Sequence, residues 1–327
     1  MSDANATDRR GFILNLWRSV FAAAGISAVG FSLWDRKGPV AAKRQTSKLQ
    51  IASFAATGQN GKLAVARGSD RIRNIEAAID ALGGMAQFVQ PGDKVLLKVN
   101  AAFATPPVLG ATTHPDLVAR TAALCFAAGA AQVAVTDNPI NDPASCFELT
   151  GIGPAARKAG ARLMLPRPDR FAFYSVKNGQ LIRNWPVLGA PLVWADKVIG
   201  LAPVKDHHRS GASMTMKNWY GLLGGRRNIF HQQIHTIIAE LAVMIRPTLV
   251  VLDGTWSMIA NGPTGGAMDD LKATHTLIAG TDQVAVDSLG ATLLGKSVKA
   301  LVHLDLAERA GAGTTDYRSL NPVVVDA

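Results

Sequence analysis

The stretch from Val204 to His231 concentrates the side chains that could do chemistry. It carries lysines, histidines, arginines and glycines directly after a segment that we predict to be a strand. Lysine and arginine donate hydrogen bonds to carboxylate or phosphate, and glycine lets the backbone approach a ligand closely. The same stretch contains Met214, Trp219 and Tyr220, for which a solvated loop has no use. We therefore expect a functional segment here rather than a solvated, flexible loop.

The candidate catalytic residues are His207, Lys217, His231 and Asp253. Either histidine could move a proton, and Asp253, at a predicted strand end, could orient it or bind a metal. Lys217, if desolvated, could instead act as a nucleophile or cofactor anchor. His208 follows His207 directly, which leaves the choice between these two histidines open.

A second group of residues could bind the substrate. Its members are Lys98, Asn100, Lys205, Asn218, Arg226, Arg227, Gly262 and Gly265. The two glycines belong to a glycine-rich loop that could cradle an anion on backbone N–H groups or could simply form a turn. This loop lacks the Lys-Ser/Thr pair of a P-loop, so we do not expect nucleotide hydrolysis.

His231 and His235 have the spacing of a zinc-protease motif. The glutamate that serves as base in that motif is replaced by Gln232, so we do not expect a zinc protease. His235 is more simply interpreted as a histidine on a helix surface or in the core.

Short apolar segments alternate with helical patterns along the chain. The predicted strands include residues 94–99, 132–136, 162–165, 197–204, 249–252 and 276–279, and the predicted helices include residues 115–129, 231–245 and 283–294. This alternation predicts an α/β fold, with a mostly parallel mixed sheet covered by helices on both faces. Segments 171–176 and 180–182, around Asn178-Gly179, predict a central hairpin insertion. Ligands bind beyond the carboxyl ends of strands in such sheets, so the candidate residues should meet there.

Composition excludes several classes of protein. The chain has 327 residues, of which 48% are hydrophobic, as in a packed globular protein. Its net charge is +10, but the basic residues are mostly scattered and only 6% of residues are aromatic, so we do not expect nucleic-acid binding. Two cysteines, Cys125 and Cys146, cannot hold an iron–sulfur cluster, and their pairing is left open. Whether another cofactor or a metal binds is also left open.

Residues 1–42 are typical of an export signal or N-terminal anchor, and residues 43–327 of a single large α/β domain. Arg9-Arg10 precedes Phe12 and an apolar run, and small residues follow at Val40–Ala42, a possible cleavage site. The paired arginines are similar to a twin-arginine signal. This pattern predicts the twin-arginine export machinery as a partner and the periplasm as location. The apolar run approaches membrane-spanning length, so an anchor is the alternative, with membrane contact through this segment alone.

Several motifs, in order, resemble the domain of unknown function 362 family. They are Lys98-Val99-Asn100, Thr113-His114-Pro115, Val204-Lys205-Asp206-His207, Lys217-Asn218-Trp219-Tyr220-Gly221, His231, Asp253-Gly254, Gly262-Pro263-Thr264-Gly265 and the segment 280–287. The most specific is Lys-Asn-x-x-Gly with His231 ten residues after its glycine. The resemblance implies a short, exported member without the ferredoxin-type segment that many members carry. It strengthens the fold and the site and defines no reaction.

These observations predict an enzyme that acts on a small anionic substrate, a carboxylate or a phosphate, through a Lys/His/Asp site. A non-catalytic periplasmic protein for anion binding or assembly would use the same donors. A redox-associated protein with a bound cofactor is a weaker alternative, because the chain supplies no cluster ligands. Three histidines and several acids exceed what recognition alone needs, which favours the enzyme without establishing it.

Overall fold

The computed structural model describes residues 9–32 and 49–327, and the chain divides into two units, residues 1–46 and 47–327. In the first unit, helix α1 spans Arg9–Ser32. None of the described helices combines the length and the apolar character needed to cross a membrane. The possible cleavage site at Val40–Ala42 lies outside the described residues, so the boundary between signal and domain stays a prediction.

The second unit alternates strands and helices. In chain order they are β1 (Leu63–Arg67), α2 (Arg71–Ala81), β2 (Lys94–Lys98), α3 (Pro115–Ala127), β3 (Gln132–Thr136), α4 (Pro143–Leu149), α5 (Ile152–Lys158), β4 (Arg162–Leu163), β5 (Phe171–Tyr174), β6 (Trp185–Leu188), α6 (Ala190–Trp194), β7 (Lys197–His207), β8 (Gly211–Ser213), α7 (Thr215–Asn218), α8 (Ile234–Met244), β9 (Leu249–Met258), β10 (Leu271–Gly280), α9 (Gln283–Leu293), α10 (Val302–Arg309) and β11 (Val323–Asp326). Two 3₁₀ segments, Trp219–Leu222 and Arg227–Gln233, connect α7 to α8.

A nine-stranded sheet forms the centre of this unit. Its order is β11-β1-β10-β9-β7-β2-β3-β4, and β8 pairs with β7 outside this path. The strands from β9 to β4 are parallel to one another, whereas β10 runs antiparallel to both β9 and β1. The predicted mostly parallel mixed sheet is therefore confirmed.

Apolar clusters cover both faces of the sheet. Successive residues of β2 alternate between them, because Val95 and Leu97 pack with α2, α3 and α5, and Leu96 packs with α8, α9 and α10. Strands buried on both faces consist of continuous apolar runs, which explains why these segments could be identified in the sequence. The prediction of helices on both faces is confirmed.

The central hairpin is present, but its predicted second strand, residues 180–182, is wrong. β5 pairs instead with β6. The backbone N–H groups of Gln180, Leu181 and Ile182 donate to the buried carboxylate of Glu240 on α8, at 2.5, 2.9 and 2.8 Å. These donors are satisfied by a side chain, so this segment forms no ladder with a strand.

The helix predicted at residues 231–245 begins later, at Ile234. His231 lies in the preceding 3₁₀ segment, so it does not share a helical face with His235. His235 instead contacts the buried His303 of α10, with their Nδ1 atoms 3.3 Å apart. This contact agrees with the structural interpretation of His235.

Glu240→Gln tests the anchoring of residues 180–182. We expect the substitution to lower the free energy of unfolding by about 1–3 kcal/mol, because the amide NH₂ group faces backbone donors. Urea denaturation followed by circular dichroism measures this change. The control is Glu148→Gln, which removes an exposed ion pair with Arg157 and should cost less than about 1 kcal/mol. Equal losses in the two variants would contradict the anchoring role.

Candidate functional site

A cavity of about 620 Å³ opens at the carboxyl ends of β2, β3 and β7. Asn100 follows β2, Asp137 follows β3, and Lys205 and His207 lie near the end of β7. Residues from α7 and the two 3₁₀ segments complete the wall. Both the position and the volume are typical of small-molecule sites in α/β proteins.

A buried ion pair lies beneath this cavity. Lys98 Nζ is 2.7 Å from Asp137 Oδ1, and both side chains are almost fully buried. Asp137 also accepts hydrogen bonds from the backbone of Ala101 (2.6 Å) and Asn138 (2.9 Å). Burial lowers the pKa of Lys98, and Asp137 opposes this effect. Lys98 does not line the cavity; it holds the strand ends that do.

The Lys-Asn-x-x-Gly segment is held against this pair. Asn218 Nδ2 donates to the carbonyl oxygens of Lys98 and Leu201, each at 3.1 Å, and so ties α7 to β2 and β7. A Cβ atom at Gly221 would lie 1.9 Å from Asp137 Oδ1, so only glycine fits there. This geometry explains the spacing from Asn218 to Gly221 and leaves Lys217 at the cavity wall.

Helix α9 also fixes α7. The carboxylate of Asp287 accepts from the backbone N–H of Thr215 (2.8 Å) and Met216 (3.0 Å). Burial raises the pKa of Asp287 to about 7, and these hydrogen bonds oppose the rise. Gln283 Oε1 accepts from Trp219 Nε1 at 2.6 Å. The segment 280–287 therefore positions the site without lining it.

Lys205 and Lys217 give the cavity unbalanced positive charge. Lys205 Nζ donates to the Ala111 carbonyl at 2.5 Å, and Lys217 Nζ lies 5.5 Å from the centre of the Tyr220 ring. Neither ammonium forms an ion pair with a described residue. Burial, together with the charge of Lys217, lowers the pKa of Lys205 to about 7. Burial and Arg227 lower the pKa of Lys217 to about 8.

Arg227 adds positive charge to the cavity, and its guanidinium group donates hydrogen bonds to backbone carbonyls. Nη1 donates to the carbonyls of Tyr220 and Leu223, and Nη2 donates to those of Asn138 and Pro139. Arg227 therefore connects the end of β3 to the 3₁₀ segment after α7. Most of its N–H donors are therefore already used, and what Arg227 adds to the cavity is chiefly its positive charge.

His207 presents a hydrogen-bond donor. Its Nδ1 atom accepts from the backbone N–H groups of Arg209 and Ser210, each at 3.2 Å. Nδ1 therefore carries no proton, and the neutral ring carries its hydrogen on Nε2. Burial, with a further contribution from Lys217, lowers the pKa of His207 to about 2. The ring is neutral at pH 7.

His231 has the opposite tautomer. Its Nδ1 atom lies 3.2 Å from the Asn228 carbonyl and 3.1 Å from Tyr220 Oη. A carbonyl only accepts, and the Tyr220 hydroxyl donates to the Arg227 carbonyl, so Nδ1 of His231 carries the hydrogen. Nε2 of His231 then holds a lone pair. Burial and the charge of Lys217 lower the pKa of His231, so the ring is a neutral base.

The rings of His207 and His231 lie side by side in the cavity wall. They are stacked, with centroids 6.2 Å apart and planes at 18° to each other. The ring of His208 also stacks on that of His207, with centroids 5.0 Å apart, but His208 is exposed and does not line the cavity. Of the two adjacent histidines, His207 is therefore the one that lines this cavity.

Comparison with known protein families assigns the larger part of the chain to one family. The profile of the family described as Domain of unknown function (DUF362) matches residues 95–292. The chain belongs to this family. The cavity of this DUF362 protein, lined by residues between Asn100 and Pro263, falls entirely within the matched region.

One relative of known name can be aligned with about three quarters of the chain. The protein is 27% identical over 252 residues to the thylakoid-associated protein sll1697 of Synechocystis sp.. The alignment covers 75% of this chain and 76% of that protein.

The cavity of this DUF362 protein brings together most of the predicted site. The predicted residues that line it are Asn100, Lys205, His207, Lys217, Asn218, Arg227 and His231. Arg226 is exposed and lies outside it. Gly262 packs against the Asp206 backbone and Gly265 against Met258, and the residue of this loop that lines the cavity is Pro263.

Asp253 is the predicted catalytic residue that the structure does not bring to this cavity. Its Oδ2 atom pairs with Arg71 Nε at 2.5 Å, and it lines a different cavity. The reason is the strand order, because β9 lies beyond β7 from β2 and β3. Within the described ranges, no group of three or more His, Cys, Asp or Glu side chains could hold a metal ion.

Sequence reasoning missed the partners of His231 and the role of Asp137. Tyr220 and Asn228 orient His231, and Asp137, paired with Lys98, anchors the floor of the cavity. The sequence did signal Asp137, because Asp137-Asn138-Pro139 ends a predicted strand. No pattern in the sequence signals that Tyr220 and Asn228 lie against a histidine.

Gly221→Ala tests the close packing on the ion pair. We expect a loss of more than about 2 kcal/mol in the free energy of unfolding, because the new methyl group would separate Asp137 from Lys98. Thermal and urea denaturation measure it. Gly266→Ala is the control, since a Cβ at Gly266 meets nothing within 4 Å, and it should change stability by less than about 0.5 kcal/mol. Wild-type stability in Gly221→Ala would refute this packing.

The tautomers are testable by ¹⁵N NMR of labelled histidine. At pH 7 we expect His207 to show a protonated Nε2 and His231 a protonated Nδ1, assigned with His207→Gln and His231→Gln. The unfolded ring titrates near 6.5 and folded His207 near 2, so the unfolded chain binds more protons between these values. Through His207, the free energy of unfolding should therefore fall as the pH drops below 6.5. A protonated Nδ1 on His207 at pH 7 would contradict the assignment.

Proposed function

We propose that this protein is an enzyme that transfers a proton on a small anionic substrate, a carboxylate or a phosphate. The observation that carries the proposal is the pair of opposite tautomers, His207 and His231, in one cationic cavity. A donor beside a base is what proton transfer requires, whereas recognition of an anion requires donors alone.

Lys205 and Lys217 bind the anion in this proposal. Their ammonium groups lack carboxylate partners among the described residues, so a substrate carboxylate or phosphate supplies the missing counter-charge. Their pKa values of about 7 and 8 rise when the anion binds, because an opposite charge favours the protonated amine. Arg227 adds to the attraction, and the side chains of Asn100 and Asn218 offer polar contacts at the wall.

His231 then acts as the base. Its Nε2 lone pair accepts the substrate proton while the Asn228 carbonyl holds the Nδ1–H and stabilises the imidazolium. Burial, followed by the charge of Lys217, lowers the pKa of His231. A bound anion offsets that charge and so strengthens the base. His207 donates its Nε2–H to the substrate oxygen on which negative charge develops.

The experiment separates binding from turnover. The full-length protein is screened against small carboxylates and phosphates by calorimetry. Ligands that bind are then incubated with it in D₂O, and deuterium uptake or conversion is measured by mass spectrometry. We expect Lys217→Met to lower affinity at least tenfold. His231→Gln should keep affinity within about threefold and lower turnover by about 10²–10⁴.

His235→Gln is the matched control, because His235 lies outside the cavity and should affect neither quantity. A ligand that binds through Lys217 with no exchange and no conversion would support the alternative of a non-catalytic binding or assembly protein.

We also propose export to the periplasm through the twin-arginine machinery, with residues 1–42 as the signal or anchor and residues 43–327 as the α/β domain. Support comes from the paired Arg9-Arg10, with which α1 begins, and from the apolar residues that follow them.

A further inference from the structure

A second cavity, of about 250 Å³, lies beside the C-terminal half of β9. Its polar lining consists of Arg71, Thr112, His114 and Asp253. Its apolar lining consists of Pro107, Val108, Pro203, Trp256, Met268 and Leu271. None of these residues lines the larger cavity, and the proposed function uses none of them.

Arg71 is held in this cavity by one edge of its guanidinium group, and the N–H donors of its other edge are unused. Its Nε atom pairs with Asp253 Oδ2 at 2.5 Å, and the Thr255 N–H occupies Asp253 Oδ1 at 2.9 Å. Asp253 is thus engaged on both oxygens. The Nη1 and Nη2 atoms of Arg71 make no hydrogen bond to a described residue. An arginine held by one edge presents the other edge to a carboxylate.

Thr112 supplies the independent sign of a ligand. Its side chain is 3% exposed, and its hydroxyl has no hydrogen-bond partner among the described residues. A buried, unsatisfied hydroxyl is costly, and a ligand oxygen in this cavity would satisfy it. His114 adds a donor, because its Nδ1 accepts from the Asp116 N–H at 3.3 Å and leaves the hydrogen of the neutral ring on Nε2.

The rim of the cavity is apolar and exposed. Val108 is 56% exposed, Met268 50% and Trp256 44%. Clustered, exposed large apolar side chains mark binding sites on folded proteins. A ligand that fits this cavity has a polar end for Arg71 and an apolar body for the rim.

The balance of charge selects the polar end. Arg71 is the cationic side chain of the lining and already faces Asp253, so a dianion such as a phosphate monoester would bring one more negative charge beside that carboxylate than a monoanion does. A monoanion that uses the free edge of Arg71 and the Thr112 hydroxyl fits better. We propose that this second cavity binds a monocarboxylate with a compact apolar body, an aryl or branched alkyl acid.

The test uses the full-length protein with 3-phenylpropanoate and 4-methylpentanoate as probes. Saturation-transfer NMR and titration measure their binding beside that of the two corresponding primary amides. We expect the acids to bind at least tenfold more tightly than the amides, in wild type and in Lys217→Met alike. Lys217→Met removes an anion donor of the larger cavity, so its result distinguishes the two cavities. Loss of acid binding in Lys217→Met, or equal binding of acids and amides, would overturn the proposal.

Two variants locate the probe. Val108→Trp fills the cavity from an exposed position and should abolish binding, whereas Val193→Trp, at an exposed valine outside the cavity, should not change it. Thr112→Val should weaken binding three- to tenfold without lowering the melting temperature, because the hydroxyl has no partner to lose. Wild-type affinity in Val108→Trp would refute the proposed site.

Discussion

The buried ion pair between Lys98 and Asp137 is the constraint on which the site depends. Two charges taken out of water are tolerated only when each remains paired and hydrogen-bonded, and removal of one partner typically costs about 3–5 kcal/mol. Here the backbone N–H groups of Ala101 and Asn138 donate hydrogen bonds to the Asp137 carboxylate. The Lys98 ammonium donates one to the carbonyl of Asn218. The ends of β2 and β3 and the start of the segment after α7 are therefore held in one arrangement, which forms a rigid floor.

That pair also sets the electrostatics above it. Because Lys98 and Asp137 neutralise each other, the charges of Lys205, Lys217 and Arg227 are left without compensation at the cavity wall. Such a cavity favours anions. Burial first, and this positive charge second, lowers the pKa of its lysines and histidines and keeps both histidine rings neutral. The same desolvated cations oppose folding, because a buried charge without a counter-charge lowers the free energy of unfolding.

The sequence was informative where a pattern has a local cause. Continuous apolar runs identified β2, β3 and β7, and the strand ends pointed to the region where Lys205 and His207 lie. Three features escaped prediction because their causes are distant in the chain. Asp253 was assigned to the wrong cavity since strand order is not encoded locally. The strand predicted at residues 180–182 does not form, because its backbone N–H groups donate to Glu240 of a distant helix. The tautomer of His231 depends on Tyr220 and Asn228, whose contacts arise only in the folded chain.

The strand order has a consequence for how the molecule is made. Strands that are far apart in the sequence pair with each other. In the β1–β10 pair Leu63 lies opposite Gly280, and in the β2–β7 pair Val95 lies opposite Lys197. Pairings of such high contact order form slowly, because the entropy of closing a long loop is lost before the strand contacts stabilise the chain. The larger cavity takes its walls from residues that follow β2 and from residues near the end of β7, so it forms only after β2 and β7 have paired. A chain that lacked either strand would have no such cavity.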